Sequence, residues 1–161
     1  SGSLLLQPIM IACRHSCHHL GNEYLQTGNH YFHFSLTSHK PGYENGYKFG
    51  RQSNEKLLVV VDPQVSKVSP LPEETSFFSV DSPNVSVSTI KKAEDDNNAV
   101  VRLFETGIGD TKVYLNSWFK VVKAEKTNML EYEGKVIDSK SNMVPLDLGS
   151  HAIETIKLVI N

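Results

Sequence analysis

Cysteine and histidine residues are concentrated between Cys13 and His39. This stretch holds both cysteines of the chain and six of its seven histidines. Thiolates and imidazoles are the ligands that zinc prefers, and structural zinc sites usually place a second ligand pair about a dozen residues after the first. Cys13 and Cys17, followed by His30 and His33, satisfy that spacing approximately. The cluster therefore has the composition of a zinc site.

The alternation of residues around His30 and His33 argues against a zinc site. The segment His30–Leu36 places His30, Phe32, Phe34 and Leu36 at every second position, which predicts a strand. Side chains of a strand alternate between its two faces, so His30 and His33 would point to opposite sides. We therefore predict that the chain binds no metal and that these histidines are hydrogen-bonded within the fold or lie on its surface, and a Cys/His metal module is the weaker alternative.

Two adjacent carboxylate pairs, Glu73–Glu74 and Asp95–Asp96, are the next candidates for chemistry. A retaining glycosidase needs two carboxyl groups about 5–5.5 Å apart in an environment that separates their pKa values. Both pairs lie in polar turn sequences with no apolar neighbours that would raise a pKa. We predict no catalytic residue in this chain.

The stretch Asp81–Val85 reads as a tight turn, in which Asp81 caps the turn and Pro83 fixes the entry to the next strand. Ser82 lies in no Gly-x-Ser-x-Gly elbow, so it is not predicted to be a nucleophile. Tyr43 and Tyr47, on a glycine-rich loop, are better placed for ligand contact. Tyr43, Tyr47 and Asp81 are therefore the candidate substrate-binding residues.

Two further residues are predicted to be structural. Trp118, the single tryptophan, is expected to pack into the core at a strand corner. Asn84 opens the sequon Asn84-Val85-Ser86, but it lies beside a predicted strand, so we interpret the sequon as a chance match.

Composition excludes several classes of function. The chain has 161 residues, a net charge of −2 and scattered lysines and arginines, which gives no basic stripe for nucleic acid. The apolar run near the start is short and contains Gln7 and Pro8, which does not suit a membrane helix. Two cysteines do not make a disulfide framework, so the compartment stays open, with the cytoplasm favoured over export.

Strand patterns run along most of the chain, and no segment repeats apolar residues at helical spacing for more than about two turns. The stretch 38–55 contains Pro41 and three glycines and is predicted to be a loop. We predict an all-β protein, an antiparallel β-sandwich, with strands at 30–36, 56–61, 84–90, 99–105, 112–119, 120–126, 133–137 and 152–160.

A proline-rich connector separates the first two predicted strands from the others. Pro63, Pro70 and Pro72 fall within one connector, and proline cannot donate to a strand ladder. We predict that residues 1–62 are the end portion of a larger β-sandwich domain. Residues 63–161 would form a small C-terminal β-sandwich.

The second portion resembles the C-terminal region of glycoside hydrolase family 38, the α-mannosidases of bacterial type. The resemblance rests on Ser-Phe-Phe-Ser-Val, Asp-Ser-Pro-Asn-Val, Lys-Lys-Ala-Glu-Asp and Arg-Leu-Phe-Glu, in that order between residues 76 and 105. The stretches 127–134 and 153–158 are similar to later segments of the same family. Gly28, His30, Phe32, Phe34, Leu36 and His39 follow a strand pattern of the larger β-domain that precedes the sandwich in that family.

The resemblance implies a supporting role. In this family an N-terminal α/β barrel supplies the zinc ligands and the aspartate nucleophile, and no such barrel is visible here. The chain is expected to be inactive alone, to pack against the catalytic barrel of its parent, and to need no cofactor of its own. The parent would use zinc to hydrolyse α-mannosides.

Two other expectations follow. The alternative function is a free-standing carbohydrate-binding β-sandwich that stacks mannosides on aromatic side chains. An unpaired sheet edge at His30–Leu36 would promote self-association.

Overall fold

A computed structural model describes residues 28–42, 44–61, 71–107 and 109–161. The chain divides into two compact units, Ser1–Leu36 and Thr37–Asn161. In the first unit, the described residues 28–36 have no regular secondary structure and are exposed. The second unit contains one helix and eight strands within its described residues.

The described elements follow one another as a helix and then an unbroken series of strands. Helix α1 spans Glu44–Asn54. The strands are β1 (Phe78–Val80), β2 (Val85–Lys92), β3 (Ala99–Glu105), β4 (Thr111–Ser117), β5 (Val121–Thr127), β6 (Lys135–Ile137), β7 (Met143–Leu148) and β8 (Ile153–Ile160).

The strands form two antiparallel sheets. One has three strands in the order β1-β4-β7, and the other has five in the order β2-β3-β8-β5-β6. The prediction of an all-β antiparallel sandwich is therefore confirmed for this part of the chain. Six of the eight predicted strands occur within one or two residues of their expected bounds.

The core lies between the sheets and is built by alternation. Each sheet turns every second apolar side chain inward, where these residues bury one another and gain about 25 cal/mol per Å² of apolar surface removed from water. The inward residues that form one buried cluster are Val85, Val101, Leu103, Val113, Leu115, Val121, Ala124, Val144, Leu146, Leu148, Ile156 and Leu158.

Strand β7 was not predicted, and it contains Pro145 near its centre. Val144, Leu146 and Leu148 nevertheless alternate and are buried, while the residues between them face solvent. Among the described strands, β7 is an edge strand and pairs only with β4, so Pro145 interrupts no described ladder on its other side. The edge position thus accommodates a residue that is disfavoured in the middle of a sheet.

The other sheet edges are also poor templates for further pairing. β1 and β6 have three residues each, and β2 has a register irregularity between Val87 and Thr89. Short edges, bulges and prolines are features that protect native sheets from edge-to-edge association.

The prediction of a loop at 38–55 is wrong, because residues Glu44–Asn54 form helix α1. Gly46 and Gly50 lower helix propensity, but they lie four residues apart and so share one face. A Cβ atom at Gly46 would lie 3.0 Å from Nε2 of His39, so this glycine allows the His39 ring to contact the helix. Arg51 and Glu55 form an ion pair of 2.7 Å at the helix end.

The predicted strands at His30–Leu36 and Lys56–Val61 are also wrong. Both segments lack strand pairing, and their side chains are exposed. The physical reason is that an apolar alternation becomes a strand only when a partner supplies hydrogen bonds and burial, and the described residues pair no strand with either segment. The predicted boundary between 1–62 and 63–161 stays a prediction.

Within the described ranges, no helix is long and apolar enough to cross a membrane.

Candidate functional site

The side chains of strand β4 alternate between the core and the surface. Val113, Leu115 and Ser117 are buried, whereas Tyr114 is 46% exposed and Asn116 is half-buried. The outward residues of β1, β4 and β7 together form a surface that we call the outer sheet face. Its members are Ser79, Lys112, Tyr114, Asn116, Met143, Pro145 and Asp147.

Asp81 is fixed beside this face. Its Oδ1 accepts a hydrogen bond of 2.8 Å from the backbone N–H of Tyr114. Asp81 also lines a shallow cavity of about 390 Å³ with Lys112, Tyr114 and Asp147. The predicted role of Asp81 as a turn residue is consistent with this contact, because it ties the end of β1 to β4.

The other two candidate residues do not join Asp81. Tyr43 lies outside the described residues. The ring of Tyr47 in α1 contacts the ring of Phe104 in β3, with centroids 6.3 Å apart. Tyr47 therefore packs on the five-stranded sheet, whereas Asp81 contacts the three-stranded one.

The prediction that Trp118 packs into the core is wrong, since the side chain is 51% exposed. Its backbone N–H donates to the carbonyl of Phe77 at 2.9 Å, which extends the pairing of β1 and β4 by one step. Trp118 lines a second shallow cavity, of about 350 Å³, with Ser79, Asn116 and Asn142. The spacing Tyr114, Asn116, Trp118 could have placed all three residues on one face from the sequence alone.

The most buried carboxylate belongs to Glu105 at the end of β3. Its Oε1 accepts hydrogen bonds from Asn84 Nδ2 and from the backbone N–H of Gly107, both 2.7 Å long, and its Oε2 accepts one of 2.9 Å from the N–H of His151. We call these residues the Glu105 network. Burial raises the pKa of the Glu105 carboxyl, but the hydrogen bonds outweigh burial and the pKa lies below its ordinary value.

Asn84 contributes both amide hydrogens to this region. Its Nδ2 donates to Glu105 and, at 2.7 Å, to Thr111 Oγ1, and Ser82 Oγ donates to its Oδ1. An N-linked glycan would be attached at this same nitrogen. These bonds support the interpretation of the sequon as a chance match.

The loop between β5 and β6 is tightly held but exposes apolar side chains. Asn128 Oδ1 accepts from the N–H groups of Leu130 and Tyr132, at 2.9 and 3.0 Å, and Arg102 donates to the carbonyl of Met129 at 2.7 Å. Met129, Leu130 and Tyr132 are nevertheless all more than half exposed. The loop is therefore a fixed apolar projection.

Glu131 joins this loop to the end of β2 and the residues that follow it. It is buried and has a φ angle of 69°, a conformation that non-glycine residues rarely adopt. Its carboxylate lies 2.8 Å from Lys91 Nζ and accepts from the N–H of Glu94 at 2.9 Å. The Lys91 ammonium group and this hydrogen bond hold the pKa of Glu131 below its ordinary value.

The adjacent carboxylate pairs do not form a catalytic arrangement. Glu73 and Glu74 are exposed. Asp96 forms an ion pair of 2.6 Å with Lys157 and accepts from the N–H of Asn98. The Lys157 ammonium group lowers the pKa of Asp96, which keeps this carboxylate ionised rather than available as an acid.

Metal binding was considered for the histidine-rich stretch. Cys13, Cys17 and the histidines near them lie outside the described residues. His30 and His33 are exposed and not in a strand, so the alternation argument does not apply to them. Across the described ranges, no group of three or more histidine, cysteine, aspartate or glutamate residues could hold a metal ion.

Comparison with protein families identifies the sandwich. Residues 84–156, which run from Asn84 of the Glu105 network into β8, match the glycosyl hydrolases family 38 C-terminal beta sandwich domain. No curated protein matches the chain. The matched residues include strands β2 to β7 and the first half of β8, and the resemblance seen in the sequence is confirmed there. Residues 84–156 thus match the C-terminal β-sandwich domain of glycosyl hydrolase family 38.

Proposed function

We propose that this chain is the non-catalytic C-terminal region of an α-mannosidase, in which it packs against the catalytic α/β barrel and supports it. The family match supports this assignment. The two most buried carboxylates, those of Glu105 and Glu131, are both committed to structural hydrogen bonds. The parent would bring the zinc ligands and the nucleophile in its barrel and would hydrolyse α-mannosides.

The observation that carries this proposal is the segment Leu57–Val61. Its five consecutive apolar side chains are between 83% and 94% exposed. Large contiguous apolar surfaces on a protein mark sites that bind another protein surface. Leucine and valine also have the propensity of a buried strand. The segment therefore has the character of a strand that is completed by sheet partners elsewhere in a longer protein.

The β5–β6 loop adds a second surface of this kind. Met129, Leu130 and Tyr132 are presented on a backbone that hydrogen bonds already hold in place. A preorganised apolar projection loses little conformational entropy on docking. This geometry suits a permanent contact with a neighbouring domain.

Activity measurements on two forms of the protein test the proposal. The longer protein that contains this chain is expected to hydrolyse 4-nitrophenyl α-mannopyranoside, and the purified 161-residue chain is expected to release no nitrophenol. Hydrolysis by the short chain, free of other glycosidases, would refute the non-catalytic role. An inactive longer protein with a bound zinc ion would refute the mannosidase assignment.

A charged variant of Leu57–Val61 tests the packing role. In the isolated chain, the double substitution Leu58→Asp and Val60→Asp is expected to reduce binding of an apolar dye and to reduce self-association measured by light scattering. Its free energy of unfolding should change by less than about 0.5 kcal/mol, because both side chains are exposed. In the longer protein the same pair should lower stability, since charges would then be buried.

The matched control is Thr37→Asp with Ser38→Asp, which adds the same charge at exposed polar positions. It should leave dye binding, association and the stability of the longer protein unchanged. Equal stability of the longer protein with and without the charged pair at Leu58 and Val60 would count against burial of this segment.

A further inference from the structure

The outer sheet face and the residue that directly follows β4 present one aromatic side chain each. Tyr114 and Trp118 are four residues apart and both are about half exposed. An extended chain rises about 3.3 Å per residue, so the Cα atoms of the two residues are at most about 13 Å apart. Half-exposed aromatic rings on a fixed sheet are suited to flat contact with a ligand.

The space next to Trp118 is lined by polar side chains. Ser76, Ser79, Asn116 and Asn142 surround the cavity of about 350 Å³ beside the indole. Within the described ranges, the side chains of Ser76, Ser79 and Asn142 make no hydrogen bond, and Asn116 makes only a long one of 3.5 Å to the carbonyl of Tyr114. Several neutral donors and acceptors are therefore available around one aromatic ring.

The cavity next to Tyr114 also combines an aromatic ring with polar side chains. Asp81 Oδ1 is occupied by the N–H of Tyr114, while its Oδ2 accepts nothing from the described residues. Lys112 and Asp147, at the far side of the cavity, are exposed, and their charged atoms are 4.0 Å apart. The net charge of these three groups is −1, which suits a neutral ligand better than an anionic one.

We propose that the outer sheet face binds a neutral oligosaccharide of hexopyranose units laid along β4. A pyranose ring has one face of C–H groups and a rim of hydroxyl groups. The C–H faces of two separate sugar rings would stack on Tyr114 and Trp118. Asn116, Asn142, Ser79 and Asp81 would exchange hydrogen bonds with the hydroxyl groups.

The polar lining decides between this ligand and a protein partner. The apolar surfaces at Leu57–Val61 and on the β5–β6 loop have few polar groups among the exposed side chains, as protein contacts usually do. The outer sheet face instead alternates single aromatic rings with amides and hydroxyls. This inference is independent of the mannosidase assignment, because it concerns a binding surface of the chain itself.

Tryptophan fluorescence offers a direct assay, since Trp118 is the single tryptophan of the chain. Titration with mannotriose, maltotriose and cellotriose is expected to give a saturable change in emission for at least one of them. The corresponding monosaccharide should bind at least tenfold more weakly, because one ring cannot contact both aromatic side chains.

Three variants locate the site. Tyr114→Ala keeps the fluorescent reporter and is expected to weaken trisaccharide binding at least tenfold, and Asn116→Ala should weaken it severalfold. Trp118→Ala should abolish the heat of binding in calorimetry. Tyr132→Ala, an exposed tyrosine of the β5–β6 loop, is the control and should leave affinity unchanged. All four side chains are exposed or half-buried, so thermal unfolding should stay close to that of the wild type.

Absence of saturable binding for all three trisaccharides would overturn the proposal. Binding that persists unchanged in Tyr114→Ala and Trp118→Ala would also overturn it, because the sugar would then bind elsewhere. Equal affinity for a monosaccharide and its trisaccharide would refute contact with both rings.

Discussion

Replacement of Leu158 by alanine is expected to lower the free energy of unfolding by about 4 kcal/mol. Leu158 is fully buried and lies in β8, the middle strand of the five-stranded sheet. Its direct cross-strand neighbours are Ala99 in β3 and Ala124 in β5. Directly opposed residues point to the same face, so the variant would place three alanines side by side on the inner surface. Because these small neighbours cannot fill the cavity, the loss of unfolding free energy should lie near the upper end of the range seen for buried leucine-to-alanine substitutions.

Chemical denaturation with a second variant in the same strand provides the control. Ile153→Ala removes a similar number of methyl groups from a position that is 52% exposed, and it should cost less than about 1 kcal/mol. Adding Ala124→Leu to Leu158→Ala returns the lost volume from the neighbouring strand and should recover part of the stability. A loss below about 1 kcal/mol for Leu158→Ala would mean that the sheets are not packed as described.

The strands that pattern reasoning found are those in which alternation is continued by a paired neighbour. In β8, Ile156 and Leu158 are two positions apart and so share one face, and both are buried in the core. In Leu57–Val61 a continuous apolar run, which also favours a strand, produced none among the described residues. The local sequence pattern indicates that a segment is able to form a strand. Whether the strand forms depends on pairing, because the ladder hydrogen bonds and the burial come from other parts of the protein.

The errors at α1 and β7 have a common physical cause. Gly46 and Pro145 each carry a penalty for the element in which they lie, and each is placed where the penalty is small or useful. Gly46 admits the His39 ring, and Pro145 lies on an edge strand. Such compensation depends on tertiary neighbours and is not visible in the local sequence.

The candidate site was predictable only in part. Asp81 was singled out for the turn after β1, and that turn is where it lies beside the outer sheet face. Trp118 was assigned to the core because its segment was interpreted as a strand corner, although strict alternation from Leu115 would have placed it outside. The Glu105 network was not foreseen, because it joins residues up to 46 positions apart in the chain.

Replacement of Glu105 by alanine is expected to destabilise the sandwich by about 3 kcal/mol, at roughly 1 kcal/mol for each of the three hydrogen bonds lost. The carboxylate joins the start of β2, the end of β3 and the turn before β8 through Asn84, Gly107 and His151. A Cβ atom at Gly107 would lie 2.7 Å from Glu105 Oε1, so the turn is shaped around this side chain. Glu105→Gln keeps the shape and one acceptor oxygen but places an amide N–H₂ against the N–H of His151. It should cost less than the alanine variant, and Glu73→Gln, at an exposed carboxylate, should cost nothing measurable.

The pH dependence of Glu105→Gln separates the charge from the shape. Folding holds the pKa of Glu105 below the ordinary value of 4.5, so the ionised form stabilises the fold. That contribution is complete above the pKa of the unfolded chain and is lost as the pH falls through the lower pKa of the folded protein. Asp96 and Glu131 shift in the same direction, so the wild type alone would not isolate Glu105. The difference in unfolding free energy between wild type and Glu105→Gln should therefore stay constant between about pH 6 and pH 8 and shrink below about pH 4.5. A difference that grows on acidification would show that Glu105 is held protonated, and the hydrogen-bond directions assigned to its carboxylate would then be wrong.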